Sequence, residues 1–354
     1  MRGMTFRYLD RDAIIHCGGL DISAALHDVE EALRLQERGC TTMPLEVPLR
    51  WSHETGTRTT GRHPDRAAPS EAGIYALPAY VGGQLPVAGV KWTAHRSDNA
   101  HPELPRVMGL IVLNDAESGQ PIAVLESALI GAVRTAATSA VAIRHLGRQN
   151  ARTAAILGTG LQARVHLHML AQVMSDLRTV LVANRTREHA VRMVSELHHL
   201  LPCPVKTVDS PKAAFQASDL MITCTAASEP FVEADWIHPG LLAIHVGPFE
   251  FTFDAVDAFA KVVVDKWGEF KHTSLKGLFQ MYRAGRFRES DVWADLPDLL
   301  YGRKTVAPGD SVLVSLFGLS IFDVAVAWRI ARNAERIGAG RVLPLLGRGE
   351  QTTI

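Results

Sequence analysis

Cysteine is scarce in this chain of 354 residues: Cys17, Cys40, Cys203 and Cys224 are scattered, and no two stand at CxxC or zinc spacing. That excludes a disulfide-stapled scaffold and predicts a reducing, cytoplasmic setting. Net charge is lacking as well. Lys+Arg and Asp+Glu balance at 37 each, so no electrostatic footprint points to nucleic acid or an anionic membrane. No apolar run reaches the ~20 residues needed to cross a bilayer. Arg7, Asp10, Arg11 and Asp12 break up any leader-like stretch, so no secretory signal is expected. The histidines, His166, His168, His198 and His199 among them, form no HExxH or His/carboxylate arrangement, and no catalytic metal is expected.

What is present is a strand, a glycine turn, a helix and a second strand over residues 153–187. Thr153-Ala154-Ala155-Ile156-Leu157 is a short apolar run of the kind that forms a buried parallel strand. Gly158-Thr159-Gly160-Leu161-Gln162-Ala163 follows at once, and Val165, Leu167, Met169, Leu170 and Val173 then recur at helical spacing. Val180-Leu181-Val182-Ala183 is the next strand. In this context GxGxxA predicts a dinucleotide site. Gly158 permits the tight turn, Gly160 lets backbone approach a pyrophosphate, and Ala163 lets the helix sit close to the strand. The amides at Leu161 and Gln162 then face the phosphates with the positive end of the helix dipole. The second strand ends in Asn184, Arg185 and Thr186 rather than the acidic residue that bonds an NAD ribose. With no carboxylate to repel a 2′-phosphate and an arginine to pair with it, NADP(H) is the preferred cofactor, with NAD(H) the alternative.

Hydrophobic residues make up 47% of the chain, ample for packed cores, and the length suggests two domains. A first strand is expected at 5–9, a helix from Asp21 through residue 38, and loop plus strand over Cys40 to Arg50. A mobile polar loop is expected at 52–72. Gly73–Tyr80 with Val87–Ala94, and Gly109–Asp115 with Pro121–Glu126, read as hairpins. A helix spans Leu129–Leu146. Beyond it strands are expected near 153–157, 180–183, 205–208, 220–224, 241–246 and 261–265. Helices are expected near 162–176, 187–200, 211–217 and 289–300, a connecting loop at 301–311, and a last helix over Ser320–Ile337. This predicts an α/β chain: a Rossmann doubly wound parallel sheet over 129–317, and an α+β domain built from 1–128 with 318–354. Cys224-Thr225-Ala226 ends a strand at the sheet's carboxyl edge, so Thr225 and Ala226 are expected to line the cofactor. Cys224 has no basic neighbour in sequence and reads as packing.

Several strings together resemble the ornithine cyclodeaminase/mu-crystallin family: Gly89-Val90-Lys91-Trp92, Gly109–Asp115, Val133-Arg134-Thr135-Ala136-Ala137-Thr138-Ser139-Ala140, the glycine turn, and Ile222–Ala226. The resemblance covers nearly the whole chain. It implies a homodimer in which the α+β domain carries substrate and dimer contacts, a small amino-acid substrate, and hydride transfer through an imine. One branch looks more similar over Leu77–Gly83, Pro121–Glu126, Val262–Trp267 and Gly285-Arg286-Phe287. Its reaction oxidatively cleaves N-(2-amino-2-carboxyethyl)-glutamate to 2,3-diaminopropionate and 2-oxoglutarate.

By the same resemblance, Lys91 and Arg134 match positions that bind the substrate carboxylate, with Lys91 also a catalytic residue that handles protons, and Arg50 is the best match for a third cation, with Glu46 at the alternative alignment. Asp323 matches an acidic position near the reacting centre. Thr138, Gly247 and Cys224 join Gly158, Gly160, Leu161, Gln162, Asn184, Arg185, Thr186, Thr225 and Ala226 as cofactor-binding positions. Where cyclodeaminases use an aspartate as acid/base, this chain has His245-Val246-Gly247-Pro248-Phe249-Glu250, which makes Glu250 the expected proton carrier and His245 its competitor. The alternative activities are an ornithine-type cyclodeaminase that releases ammonia and recycles its cofactor, an imine or ketimine reductase, and a non-catalytic NADPH-dependent binder of small ligands.

Overall fold

A computed structural model describes residues 4–50, 73–96, 103–148, 150–268, 272 and 274–346. The chain forms two compact units: Met1–Gly19, Cys40–Gly131 and Asp323–Ile354 make the first, and Leu20–Gly39 and Ala132–Phe322 the second. The loop expected at 52–72 lies outside the described residues.

The first unit is built on one sheet. Its strands are β1 (Thr5–Leu9), β2 (Thr41–Thr42), β3 (Val47–Arg50), β4 (Gly73–Val81), β5 (Val87–His95), β6 (Val107–Asp115), β7 (Pro121–Glu126) and β16 (Arg341–Pro344). Their order is β16-β1-β7-β6-β5-β4-β2, with β3 also on β4. The two expected hairpins join into one antiparallel meander, β4 to β7. The sequence reading did not anticipate β16; it pairs antiparallel with β1 and has every residue exposed. Side chains alternate across the meander as the pleat requires. Ala79, Val81, Lys91, Thr93, Ile111, Leu113, Ala123 and Leu125 are buried on one face, while Tyr80, Trp92 and Leu110 are exposed on the other. The helix Ser320–Ile337 forms as expected.

The second unit is a parallel sheet of β8 (Thr153–Leu157), β9 (Thr179–Ala183), β10 (Val205–Thr207), β11 (Leu220–Thr223), β12 (Leu242–His245), β13 (Lys261–Val264), β14 (Ala294–Asp295) and β15 (Val312–Ser315). The order is β10-β9-β8-β11-β12-β15-β13-β14. Strand order reverses between β8 and β11, the switch point at whose carboxyl edge open α/β sheets bind ligands. The strand β15 is missing from the sequence expectation, yet it lies between β12 and β13. Its apolar run, Val312-Leu313-Val314, is only three residues long and follows a turn-rich loop, so it reads as part of that loop. The helix expected over 289–300 is instead a short 3₁₀ turn, the two-residue β14 and a helix at Leu296–Leu300 started by Pro297 and the Asp295 capping box.

Residues 20–39, which the sequence reading groups with the first domain, lie in the second unit. The reason is specific bonding of α2 (Ile22–Glu37). The Ile22 amide donates to Gln172 Oε1 at 2.9 Å, and Gln172 Nε2 donates to the Leu20 carbonyl at 3.0 Å. Glu30, buried on α2, accepts from His145 Nε2 at 2.9 Å and Arg34 at 3.1 Å. No described helix is long and apolar enough to cross a membrane.

A buried histidine marks the packing of the helix after β8. His166 is fully buried; its Nδ1 lies 2.8 Å from the Gln162 carbonyl, which assigns the proton there. Nε2 then accepts from Ser139 Oγ at 2.9 Å. Burial holds the His166 pKa down to about 4 from 6.5. The unfolded chain therefore takes up a proton between pH 6.5 and 4 where the folded one does not, so stability falls as the pH drops through that window. One such group costs about 2 kcal/mol between pH 7 and pH 5. Urea unfolding of His166→Asn at those two pH values should show that much less acid sensitivity than the unaltered protein. Equal pH dependence would rule His166 out as its source.

Candidate active site

At the switch point the chain turns as the glycine motif demands. Gly158 sits at φ +107°, and a Cβ there would lie 2.5 Å from the Cys224 carbonyl oxygen. Only glycine allows both the backbone angle and this approach. The turn is fixed on both sides, by the Gly158 amide to the Ala183 carbonyl at 2.9 Å and the Cys224 amide to the Leu157 carbonyl at 2.8 Å. Gly160 caps α4 (Leu161–Val173) without any side-chain cap, and nothing lies within 4 Å of where its Cβ would be. The first-turn amides are thus open to an anion. Ala163 is fully buried, as close helix–strand packing needs. Gln162 Oε1 is buried with no partner among the described residues. A helix start with no side-chain cap and a glycine cradle fit a dinucleotide pyrophosphate.

Beyond β9, Asn184 Nδ2 donates to the Thr186 carbonyl at 2.9 Å. Arg185 is exposed, and Thr186 starts α5 (Arg187–Leu197) with no side-chain cap. Arg187 is engaged by Asp209. No carboxylate stands at 184–187.

At the carboxyl edge of β11 and β12, Glu250 is fully buried. Its Oε1 accepts from both the Thr225 amide and the Thr225 hydroxyl at 3.0 Å, and its Oε2 lies 3.1 Å from His245 Nε2. The carboxylate lies where a Cβ on Gly247 would be, which explains the glycine at that position. Burial alone would raise the Glu250 pKa. The hydrogen bond from His245, the Thr225 amide and the Lys276 charge outweigh it and hold the carboxyl below its usual range. Burial pushes His245 down, so the imidazole is neutral; with Nε2–H toward Glu250, Nδ1 accepts from Ser315 Oγ at 3.4 Å. The two residues that compete for the proton role in sequence are therefore one hydrogen-bonded pair. Cys224 is half-buried, with its thiol 3.8 Å from His166 Nδ1; burial and then the Glu250 charge raise its pKa well above 9, which suits packing and not nucleophilic attack.

In the first unit, Lys91 faces the buried side of the sheet, and its Nζ lies 2.6 Å from Asp323 Oδ2, with Asp323 itself fully buried. The matched pair thus comes together across 232 positions of sequence. In the second unit, Arg134 on α3 (Ser127–His145) lies against Gly318, where a Cβ would meet its guanidinium; Gly318 has φ +91°. Thr138 is buried and spends its hydroxyl on the Arg134 carbonyl at 2.7 Å. The Arg50 backbone pairs with Gly73 at the end of β3, and its side chain lies outside the described residues. Sequence reasoning missed Lys276 and Asp265, both of which carry charge to this edge of the sheet. Asp265 falls within the Val262–Trp267 string and Lys276 in none, but only the fold brings Lys276 to interact with both Glu250 and Asp265.

Comparison with known proteins agrees with this geometry. A family model described as the ornithine cyclodeaminase/mu-crystallin family matches residues 20–337. Among curated relatives, the N-((2S)-2-amino-2-carboxyethyl)-L-glutamate dehydrogenase of Staphylococcus aureus is 28% identical, covering 96% of this chain and 98% of that protein. Among solved structures, Thermococcus litoralis Δ(1)-pyrroline-2-carboxylate reductase, in complex with NADH and L-proline, superposes with a TM-score of 0.82 at 26% identity, covering 95% and 99% of the two chains. An archaeal alanine dehydrogenase dimer with bound NAD gives the same TM-score and identity, over 97% and 100%. The chain belongs to the ornithine cyclodeaminase/mu-crystallin family and is one of its NAD(P)-dependent enzymes.

Proposed function

We propose that the chain is an NADP(H)-preferring oxidoreductase acting on the C–N bond of an amino acid or N-substituted amino acid through an imine. The favoured reaction is oxidative cleavage of N-(2-amino-2-carboxyethyl)-glutamate to 2,3-diaminopropionate and 2-oxoglutarate. The observation that carries this reading is the open glycine cradle at the switch point, set beside a buried, ionised carboxylate at the same sheet edge. The likeness to the Staphylococcus aureus dehydrogenase favours the substrate.

Gly158, Gly160, Leu161 and Gln162 would hold the pyrophosphate, Asn184, Arg185 and Thr186 the ribose, and Thr138, Cys224, Thr225, Ala226 and Gly247 the remainder. Bound nicotinamide would supply hydride acceptance from the substrate Cα, and water would then hydrolyse the imine to 2,3-diaminopropionate and 2-oxoglutarate. Lys91 and Arg134 supply charge for the substrate carboxylate, with Arg50 a third cation, and Asp323 fixes the Lys91 ammonium. Glu250, hydrogen-bonded to His245, receives the proton from the substrate amine as the imine forms.

The function test is the nicotinamide absorbance band with N-(2-amino-2-carboxyethyl)-glutamate. Net reduced cofactor is expected, and Glu250→Gln should lose about 100-fold or more in kcat with cofactor binding kept. Ammonia release from ornithine without net cofactor reduction would replace this reading with cyclodeamination. An active Glu250→Gln beside a dead His245→Asn would move the proton role to His245.

Cofactor preference has its own test, independent of substrate. A charge-assisted bond from Arg185 to a 2′-phosphate is worth about 1.5–3 kcal/mol, roughly 10- to 150-fold in affinity. Fluorescence titration should show NADPH binding tighter than NADH. Arg185→Ala should erase most of the difference, and Asn184→Asp should invert it. A preference for NADH in the unaltered protein would overturn the assignment.

The chain is also proposed to be a homodimer through the outer face of the first unit's sheet. Trp92 and Leu110 stand directly opposite each other on β5 and β6, and both are about two-fifths exposed. Val47 and Leu49 extend this apolar face across β3. The archaeal relative's dimeric state makes a second copy the occupant. Trp92→Glu with Leu110→Glu should give a monomer by sedimentation at micromolar concentration, a loss of about 2 kcal/mol or more per buried anchor. A folded dimer from this variant would place the interface elsewhere.

A further inference from the structure

Lys276 has no step of its own in the proposed reaction, yet it stands at the same sheet edge as Glu250. It caps the helix Gly277–Arg283, and its backbone is tied down from both sides. The Gly277 amide donates to the Pro248 carbonyl at 2.8 Å, within the turn that carries Glu250. The Lys276 ammonium donates to the His245 carbonyl at 3.1 Å and to the Val246 carbonyl at 3.0 Å. An ammonium has three donors, so two are committed to the backbone where β12 ends.

Glu250 and Asp265 are the carboxylates that act on Lys276, Arg134 is the like charge, and Cys224 is a weakly acidic neighbour. Among the described residues, Glu250 is acted on by His245, the Thr225 amide and the Lys276 charge. Asp265 is fully buried and accepts from the Lys266 amide at 3.1 Å, the Phe317 amide at 3.0 Å and the Gly318 amide at 2.6 Å. With His245 neutral, Glu250 draws on Lys276 for its counter-charge. A carboxylate removed from water requires such a partner, or it takes up a proton.

We propose that Lys276 is a positioning residue for Glu250: tethered to the His245 and Val246 carbonyls, its ammonium supplies the counter-charge of the Glu250 carboxylate at the β12 edge. Burial, outweighing the attraction of Glu250 and Asp265, brings the lysine's own pKa down to about 8. The counter-charge is therefore complete below that pH and fades above it. For catalysis, the proposal rests on the reading of Glu250 as proton acceptor.

The test separates the two. Carboxyl ¹³C NMR of glutamate-labelled protein, with the Glu250 signal identified by its loss in Glu250→Gln, follows the titration without any turnover. Lys276→Met should raise the Glu250 midpoint by about one pH unit or more, and Lys276→Arg should restore it. Lys276→Gln serves as a second neutral variant if the methionine lowers the melting temperature. In kinetics, the acid limb of the kcat profile should move up by the same amount in the neutral variants, with KM little changed. An unmoved Glu250 midpoint in both neutral variants overturns the proposal, as does an equal shift in Lys276→Arg. A shifted midpoint with an unshifted acid limb upholds Lys276 as the counter-charge and removes Glu250 from the proton step.

Discussion

Much of the second unit's carboxyl edge depends on one buried carboxylate finding enough donors. Glu250 has no solvent, so each oxygen must be matched inside the protein. Thr225 answers with its amide and its hydroxyl, and His245 with a ring nitrogen. Those donors come from the ends of two neighbouring strands, β11 and β12. The carboxylate therefore stitches the residue after Cys224 to the strand that ends in His245, and Cys224 in turn presses its carbonyl against Gly158. The glycine turn, the end of β11 and the end of β12 are thereby held in one arrangement. Gly247 belongs to the same constraint, since any larger residue would take the space the carboxylate fills.

The parts of this arrangement that were legible in the sequence are those with a local signal. The β8 run, the glycine turn and the apolar spacing of α4 announce themselves within a few residues. The helix at Ser320–Ile337 and the meander strands do the same through their periods. The strand β15 did not, because three apolar residues after a loop carry no period, although the sheet needs it between β12 and β13. The placement of α2 was equally hidden: what assigns it to the second unit is Gln172 reaching the Leu20 carbonyl and the Ile22 amide, a pairing that no pattern in either segment encodes. Lys276 is the corresponding case in the site. A lysine before a short helix looks like a surface charge until the fold delivers it to the carbonyls of His245 and Val246.

Strand β5 shows how one alternation serves two purposes. Lys91 and Trp92 are neighbours in sequence and so face opposite sides of the sheet. The lysine meets Asp323 within the buried layer, while the tryptophan joins Leu110 and Val47 on an apolar outer face. A one-residue slip of β5 would place a cation on that apolar face and a large ring against Asp323, so both faces oppose it.

The Lys91–Asp323 pair also constrains how this chain's sequence can change. Both charges are nearly dry, and removing either one alone takes a close counter-charge from the other, at a cost of up to about 3–5 kcal/mol. Replacing both with apolar residues of similar size is often close to neutral. A lineage that abandons the pair must therefore pass through an intermediate that is less stable than either end. Two positions far apart in the gene are thus coupled through stability: a change at either one is better tolerated when the other changes with it.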